Sequence, residues 1–132
     1  LAVERIAWVD DAGVEINPTL VEGQMIGGLM QGLGEATLER IVYDEDGQLV
    51  TASFMDYAMP RAIHLPELQL GKIETPSPFN HLGAKGVGEA GCVGVPAAIV
   101  NAAVDALKDF GVTHLDMPLT SEKIWKAMQN GI

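Results

Sequence analysis

The chain has 132 residues, a formal net charge of −10 and 48% hydrophobic residues. These values are typical of one globular domain with its own hydrophobic core, and they argue against disorder. An acidic chain without a basic run also lacks the clustered Lys and Arg that nucleic-acid binding needs, and no stretch is apolar enough to span a membrane. The single cysteine, Cys92, excludes an internal disulfide, and we interpret it as a small buried side chain.

The first predicted elements are a strand and a helix. Ala2–Asp11 is β-rich and ends at a turn, and because the chain begins inside this run without an initiator Met, we expect it to be cut from a larger polypeptide. Asn17 followed by Pro18 predicts a helix start, with an N-cap residue and proline at the first helical position. The helix is predicted from Thr19 to about Arg40.

This predicted helix contains many glycines. Each interior glycine costs about 1 kcal/mol of helix stability relative to alanine. The cost is tolerable where another backbone packs closely, and equally where a ligand must approach the helix. The sequence leaves both explanations open for Gly23, Gly27, Gly28, Gly32 and Gly34.

The middle of the chain predicts short strands and a long loop. An acidic turn ending at Gly47 separates Ile41–Tyr43 from Leu49–Phe54, which predicts a hairpin. Glu67–Glu74 alternates apolar and polar residues, as a half-buried strand does. Thr75–Gly94 is dense in Pro and Gly, and we predict that it is a loop.

Two helices are predicted after the loop. Val95–Phe110 carries only a narrow polar stripe, so we expect most of its surface to be buried, and Gly111 closes it. A short C-terminal helix runs from Ser121 to about Asn130, between Thr120 as N-cap and Gly131. The chain therefore reads as one α+β unit over residues 1–132, with mixed strands, one Gly-rich helix, one buried helix and a short C-terminal helix.

The segment from His81 to Gly91 carries the candidate chemistry. Its four glycines expose backbone N–H groups and let a ligand approach the main chain. A carboxylate at the end of such a loop, Glu89, can be partly desolvated and act as a base. The same loop could also bind phosphate or simply make a tight connection, although its glycine spacing fits neither the Walker A nor the dinucleotide-binding pattern.

The loop resembles a motif of the xanthine dehydrogenase and aldehyde oxidase family, the molybdenum hydroxylases, in which it reads Lys-Gly-Val-Gly-Glu. Further blocks match in family order and cover almost the whole chain. They are Ile16–Pro18, Val21–Gln24, Gly27–Gly28, Gln31–Gly34, Leu38–Glu39, Phe54–Tyr57, Pro60, Glu74–Pro78 and Pro118–Thr120.

The resemblance assigns roles to residues of this chain. Glu89 matches the family's catalytic base, which takes a proton from a molybdenum-bound hydroxyl that then attacks an electron-poor carbon. The stretch that lies along the pyranopterin in the family matches Lys85, Gly86, Val87 and Gly88. A glutamine close to the cofactor in the family matches Gln31. A packing amide at Gln31 and a solvated cation at Lys85 remain open alternatives. The resemblance gives no catalytic role to the three histidines and implies no metal ligand from this chain.

The resemblance also implies what surrounds the chain. The cofactor is molybdopterin, as such or in its cytosine dinucleotide form, with 2Fe-2S clusters and FAD on other domains or subunits. The partners are the upstream part of the same catalytic subunit, the iron–sulfur and FAD subunits and a small-molecule substrate, in a cytoplasmic oligomer. The substrate is an aldehyde, an N-heteroaromatic or a related compound, and the residues after Glu89 look more like those of such hydroxylases than of carbon monoxide oxidisers.

The implied enzyme part would be inert alone, because the chain carries only half of an active site. A second interpretation is a non-catalytic module that binds a partner or an anion through the Gly-rich loop. A third is a purely structural packing domain, which would leave Glu89 without a function.

Overall fold

The computed structural model describes residues 1–130 and confirms the α+β class. Two strands and four helices make up its regular structure, with 3₁₀ turns at Ala62–His64 and Lys108–Phe110. In chain order they are β1 (Arg5–Asp10), α1 (Pro18–Thr37), β2 (Glu67–Lys72), α2 (Ala90–Val93), α3 (Val95–Ala106) and α4 (Ser121–Asn130).

Strands β1 and β2 form a two-stranded parallel sheet. Their register runs from Arg5 opposite Glu67 to Asp10 opposite Lys72. Both lie inside the predicted segments, and exposed and half-buried residues alternate along most of each strand. Parallel strands are normally covered on both faces, so one pair supplies little stability alone.

The predicted hairpin at residues 41–54 forms only in part, as a turn with a short antiparallel contact. One isolated antiparallel bridge joins Tyr43 to Leu49, and no strand forms on either side. Two backbone hydrogen bonds join the two arms, from the N–H of Asp44 to the carbonyl of Gln48 (3.0 Å) and from the N–H of Val50 to the carbonyl of Val42 (2.8 Å), and side chains accept the neighbouring N–H groups. The Asp44 carboxylate accepts hydrogen bonds from the N–H groups of Asp46 (3.0 Å) and Gln48 (2.8 Å), and the Thr51 hydroxyl accepts the N–H of Val42 at 3.0 Å.

Helix α1 begins as predicted. The Asn17 side chain accepts the N–H of Leu20 at 3.2 Å, with Pro18 at the first helical position. The helix ends at Thr37, three residues before the predicted Arg40.

Helix α1 packs against α2 and α3 to form the centre of the core. Leu29 and Leu33 of α1 are buried in one cluster with Val95 and Ile99 of α3. A Cβ atom added at Gly32 would lie 2.8 Å from the Cβ of Val95, so glycine is needed here for close packing between the helices.

The prediction for residues 75–110 needs two corrections. A four-residue helix, α2, lies inside the segment predicted as loop, and α3 ends at Ala106 before a separate 3₁₀ turn. Helix α3 also buries only one face. The alanines of its exposed face border an open apolar cavity of about 550 Å³ beside β1. Gly111 follows with φ +77°, the left-handed conformation expected of a closing residue.

The C-terminal helix was predicted correctly. The Thr120 hydroxyl accepts the N–H of Lys123 at 3.3 Å, which makes Thr120 the N-cap of α4, and Gly131 lies outside the described residues. Cys92, predicted to be buried, is half-buried, and its Sγ donates to the Glu89 carbonyl at 3.3 Å. None of the helices within residues 1–130 combines the length and apolar character of a membrane span.

Candidate functional site

The start of the Gly-rich loop is fastened to the segment after β1. The carbonyl of Gly83 accepts the N–H groups of Val14 (3.0 Å) and Ser77 (2.9 Å), and the N–H of Lys85 donates to the carbonyl of Ala12 at 2.9 Å. Gly83 has φ +68° and is buried, so its conformation and its surroundings both favour glycine. These hydrogen bonds therefore hold the main chain of the loop in place as far as residue 85.

The Lys85 side chain strengthens this attachment. Its ammonium lies 2.8 Å from a carboxylate oxygen of Asp11, and the Asp11 carboxylate also accepts the N–H groups of Gly13 (2.9 Å) and Thr75 (3.1 Å). The hydrogen bond from Lys85 and then those from Thr75 and Gly13 hold the pKa of Asp11 well below its usual value. Lys85 is thus paired with Asp11 and is not a freely solvated cation.

Beyond Lys85 the loop is open. Gly86 and Gly88 are exposed, and a Cβ atom added to either would meet nothing within 4 Å. Neither has a positive φ, so backbone conformation does not require glycine there. The N–H groups of residues 86–89 donate to no acceptor within residues 1–130. A bare main-chain surface with free donors fits the close approach of a large polar group such as a pterin cofactor.

Glu89 lies where this open stretch meets α2. Its carbonyl accepts the N–H groups of Cys92 (3.0 Å) and Val93 (3.2 Å), which makes it the cap residue of that helix. Its carboxylate is exposed and makes no hydrogen bond to another group of residues 1–130. This chain by itself therefore does not provide the partial desolvation expected for a base. Within the described residues, the carboxylate is exposed to solvent.

The position of α2, and with it Glu89, depends on contact between two glycine backbones. A Cβ added at Gly91 would lie 2.5 Å from the carbonyl oxygen of Met25 and 2.9 Å from the Cα of Gly28. A Cβ added at Gly28 would lie 2.8 Å from the Cα of Gly91. Any side chain at either position would push α2 away from α1.

The two glutamines of α1 have different relations to the loop. Gln31 is exposed, and within the described residues no hydrogen bond joins it to Glu89 or to the loop. Gln24, to which sequence reasoning gave no role, donates from Nε2 to the carbonyl of Gly88 at 2.7 Å. The seven-residue spacing of Gln24 and Gln31, which places both on one face of the helix, was the signal that could have found it.

Other polar groups are engaged elsewhere. His64 accepts the N–H of Arg61 at 3.0 Å, and His114 lies 3.1 Å from Asp116. Among residues 1–130, no three His, Cys, Asp or Glu side chains lie close enough together to hold a metal ion. The described part of the site thus offers backbone donors, amides and one carboxylate.

Comparison with known proteins places this geometry in a family. Residues 1–66 match the family model described as the molybdopterin cofactor-binding domain. The chain is 46% identical over 125 residues to the nicotine 6-hydroxylase large subunit of Paenarthrobacter nicotinovorans, a match that covers 95% of the chain and 15% of the relative. It is 42% identical to the carbon monoxide dehydrogenase large chain of Hydrogenophaga pseudoflava, covering 96% and 16%.

Solved structures agree with the sequence matches. The fold superposes on quinoline 2-oxidoreductase from Pseudomonas putida 86 with a TM-score of 0.92 and 41% identity, covering 98% of this chain and 16% of that one. The chain thus spans about one sixth of the proteins it matches. By its sequence and its fold, this chain belongs to the molybdopterin-binding family of the xanthine dehydrogenase and aldehyde oxidase type.

Proposed function

We propose that this chain forms one wall of the catalytic centre of a molybdenum hydroxylase and supplies its base, Glu89. The observation that carries the proposal is the outward carboxylate at the end of an open Gly-rich stretch. Gly86, Val87 and Gly88 would face the molybdopterin, with Gln31 near it on α1. A direct contact between Lys85 and the cofactor stays a prediction, since the Lys85 ammonium pairs with Asp11 in this chain.

The chemistry divides between the cofactor and the chain. Bound molybdenum would supply two-electron oxidation of the substrate, with water as the source of oxygen. The Glu89 carboxylate would accept the proton released as the water-derived nucleophile attacks an electron-poor carbon. A positioned general base of this kind contributes about 10² to 10⁴-fold to the rate. The free N–H groups of residues 86–89 would orient polar groups of the cofactor without any side chain between them.

The substrate class is proposed from the relatives' names. Nicotine 6-hydroxylase and quinoline 2-oxidoreductase are named for N-heterocycles, whose ring carbons beside nitrogen are electron-poor. We propose an N-heteroaromatic substrate, with aldehydes as the next class to test. Oxidation of carbon monoxide is the third outcome, because a carbon monoxide dehydrogenase is also among the relatives.

The complete enzyme would need further chains or domains. Residues 1–130 offer one loop and one helix face to a large cofactor, and a ligand of that size binds tightly only when most of its surface is buried. The upstream part of the catalytic subunit would enclose the rest. Iron–sulfur and FAD components would carry the electrons away, in a cytoplasmic assembly. The cytosine dinucleotide form of the cofactor and the oligomeric state also stay predictions.

The test is Glu89→Gln in the holoenzyme that carries this chain. Glutamine keeps the size of the side chain but removes the basic oxygen, so we expect turnover to fall about 10² to 10⁴-fold. Molybdenum content should stay at the parental level, because the open stretch would meet the cofactor through its backbone. The acid side of the pH–rate profile, where a carboxylate base becomes protonated, should disappear in the variant.

The matched control is Glu45→Gln, which removes the same charge from an exposed turn far along the chain from the loop. It should leave turnover and molybdenum content unchanged. The proposal is wrong if Glu89→Gln keeps near-parental turnover, or if it loses molybdenum together with activity. Steady-state kinetics and metal analysis decide between these results.

A further inference from the structure

Gln24 is the one side chain of α1 that hydrogen-bonds to the Gly-rich loop within the described residues. Its Nε2 atom donates to the carbonyl of Gly88 at 2.7 Å, across 64 residues of sequence. Gly27, which lies about one turn further along the helix, has open space beside it, so the Gln24 side chain has no bulky neighbour at that position. The bond ties α1, the longest helix of the described residues, to the residue that precedes Glu89.

The rest of the stretch has little else to hold it. After Lys85, whose N–H donates to Ala12, the next bonds within residues 1–130 are local ones: Ala90 donates to Val87, and α2 closes on the Glu89 carbonyl. Gly86 and Gly88 are the residues with the most backbone freedom. Without Gln24, the main chain between Lys85 and α2 would have two glycine hinges and no hydrogen bond to another element.

The bond acts on Glu89 through the peptide plane. The carbonyl oxygen of Gly88 and the N–H of Glu89 belong to one rigid planar unit and point in opposite directions. Fixing the oxygen therefore fixes the N–H, and it restricts the rotation that would swing the Cα–Cβ bond of Glu89. The Gly28–Gly91 contact sets how far α2 stands from α1, and the Gln24 bond sets the orientation in which the chain enters α2.

From this geometry we infer that Gln24 is a positioning residue, which holds the Gly88–Glu89 peptide so that the Glu89 carboxylate points at the reacting group. The inference rests on the proposed function, because it assumes that Glu89 is the base. It does not require Gln24 to touch the substrate or the cofactor.

The test is Gln24→Met in the holoenzyme, which keeps the length of the side chain and removes its donor. Misplacing a catalytic group by about 1 Å can cost about 10²-fold, so we expect kcat to fall about 10- to 100-fold with little change in KM. Molybdenum content should be parental. The amides of Cys92 and Val93, which donate to the Glu89 carbonyl, should exchange with solvent deuterium faster than in the parent. Glu22→Met, an exposed position on the same helix, should change none of these values.

A double-mutant cycle with Glu89→Gln identifies the mode of action. A residue that acts through Glu89 has no further effect once the base is gone, so Gln24→Met should leave the residual turnover of Glu89→Gln unchanged. An equal loss in both backgrounds, or parental kcat in the single variant, would overturn the inference. If Glu89→Gln alone keeps full turnover, the proposed function fails. In that case unchanged amide exchange in Gln24→Met would refute the structural part of the inference, and faster exchange would support it.

Discussion

Replacing Gly28 with Ala tests whether the contact between two helix backbones places the candidate base. The added Cβ would lie 2.8 Å from the Cα of Gly91 and 3.1 Å from its carbonyl carbon. Non-bonded carbons approach to about 3.5 Å, so α2 must retreat from α1 by about 0.7 Å. Backbone atoms oppose the new methyl group, so no side-chain rotation can relieve the clash.

The effects on stability and on turnover should differ in size. Alanine gains about 1 kcal/mol of helix propensity over glycine, whereas overpacking costs about 1 to 3 kcal/mol, so the net loss of unfolding free energy should be about 0 to 2 kcal/mol. Turnover is more sensitive, because Glu89 caps α2 and moves with it. A shift close to 1 Å predicts a loss of kcat of about 10- to 100-fold.

The assay compares Gly28→Ala with Gly23→Ala in the holoenzyme. Gly23 lies on the same helix, and a Cβ there would meet nothing within 4 Å of this chain. Thermal unfolding should therefore show a gain for Gly23→Ala and no gain for Gly28→Ala. If Gly28→Ala is stabilised as much as Gly23→Ala and keeps parental kcat, the close approach does not position Glu89 and the reasoning is refuted.

Two further predictions concern the loop at residue 85 and just after it. Replacing Asp11 with Asn removes the partner of Lys85. The Lys85 partner lowers the pKa of Asp11, so the contribution of the pair to stability is complete above the ordinary carboxyl pKa of about 3.9 and is lost as the pH falls below that value. Acid unfolding, followed from about pH 5 to pH 2, should therefore depend less on pH in the variant than in the parent. Identical curves for the two proteins would contradict this prediction. Gly86→Ala meets no clash, so unfolding should change by no more than about 0.5 kcal/mol, whereas molybdenum content should fall; full molybdenum content would remove Gly86 from the cofactor surface.

Local chemistry explains which parts of the fold could be predicted. Asn17 and Thr120 cap their helices because a side-chain oxygen at the first position of a helix satisfies its free N–H groups, whatever the rest of the chain does. The strands were found from their alternation, but not their pairing: nothing local indicates that Arg5 lies beside Glu67 in parallel. The hairpin at residues 41–54 is reduced to one bridge without strands, because Asp44 and Thr51 also offer the backbone side-chain acceptors, and β propensity does not include these.

The site divides in the same way. The resemblance singled out Glu89 and its glycines, and the structure places Glu89 at the junction of the loop and α2. The resemblance could not show that Lys85 pairs with Asp11, since that contact joins residues 74 positions apart. The resemblance named Gln31, whose place near the cofactor stays a prediction, and it gave no role to Gln24, since the contact of Gln24 with Gly88 exists only in the folded loop.

The glycines of α1 show why one residue type can carry two explanations that no sequence pattern separates. At Gly28 and Gly32 the helix meets backbone or side-chain atoms of α2 and α3, so packing within the chain explains the loss of helix propensity. At Gly23 and Gly27 nothing lies within 4 Å, so no contact within the described residues offsets the cost of about 1 kcal/mol each. The open glycines flank Gln24, whose amide reaches the equally open Gly88. The helix therefore presents a packed face to its own core and a bare face beside the loop.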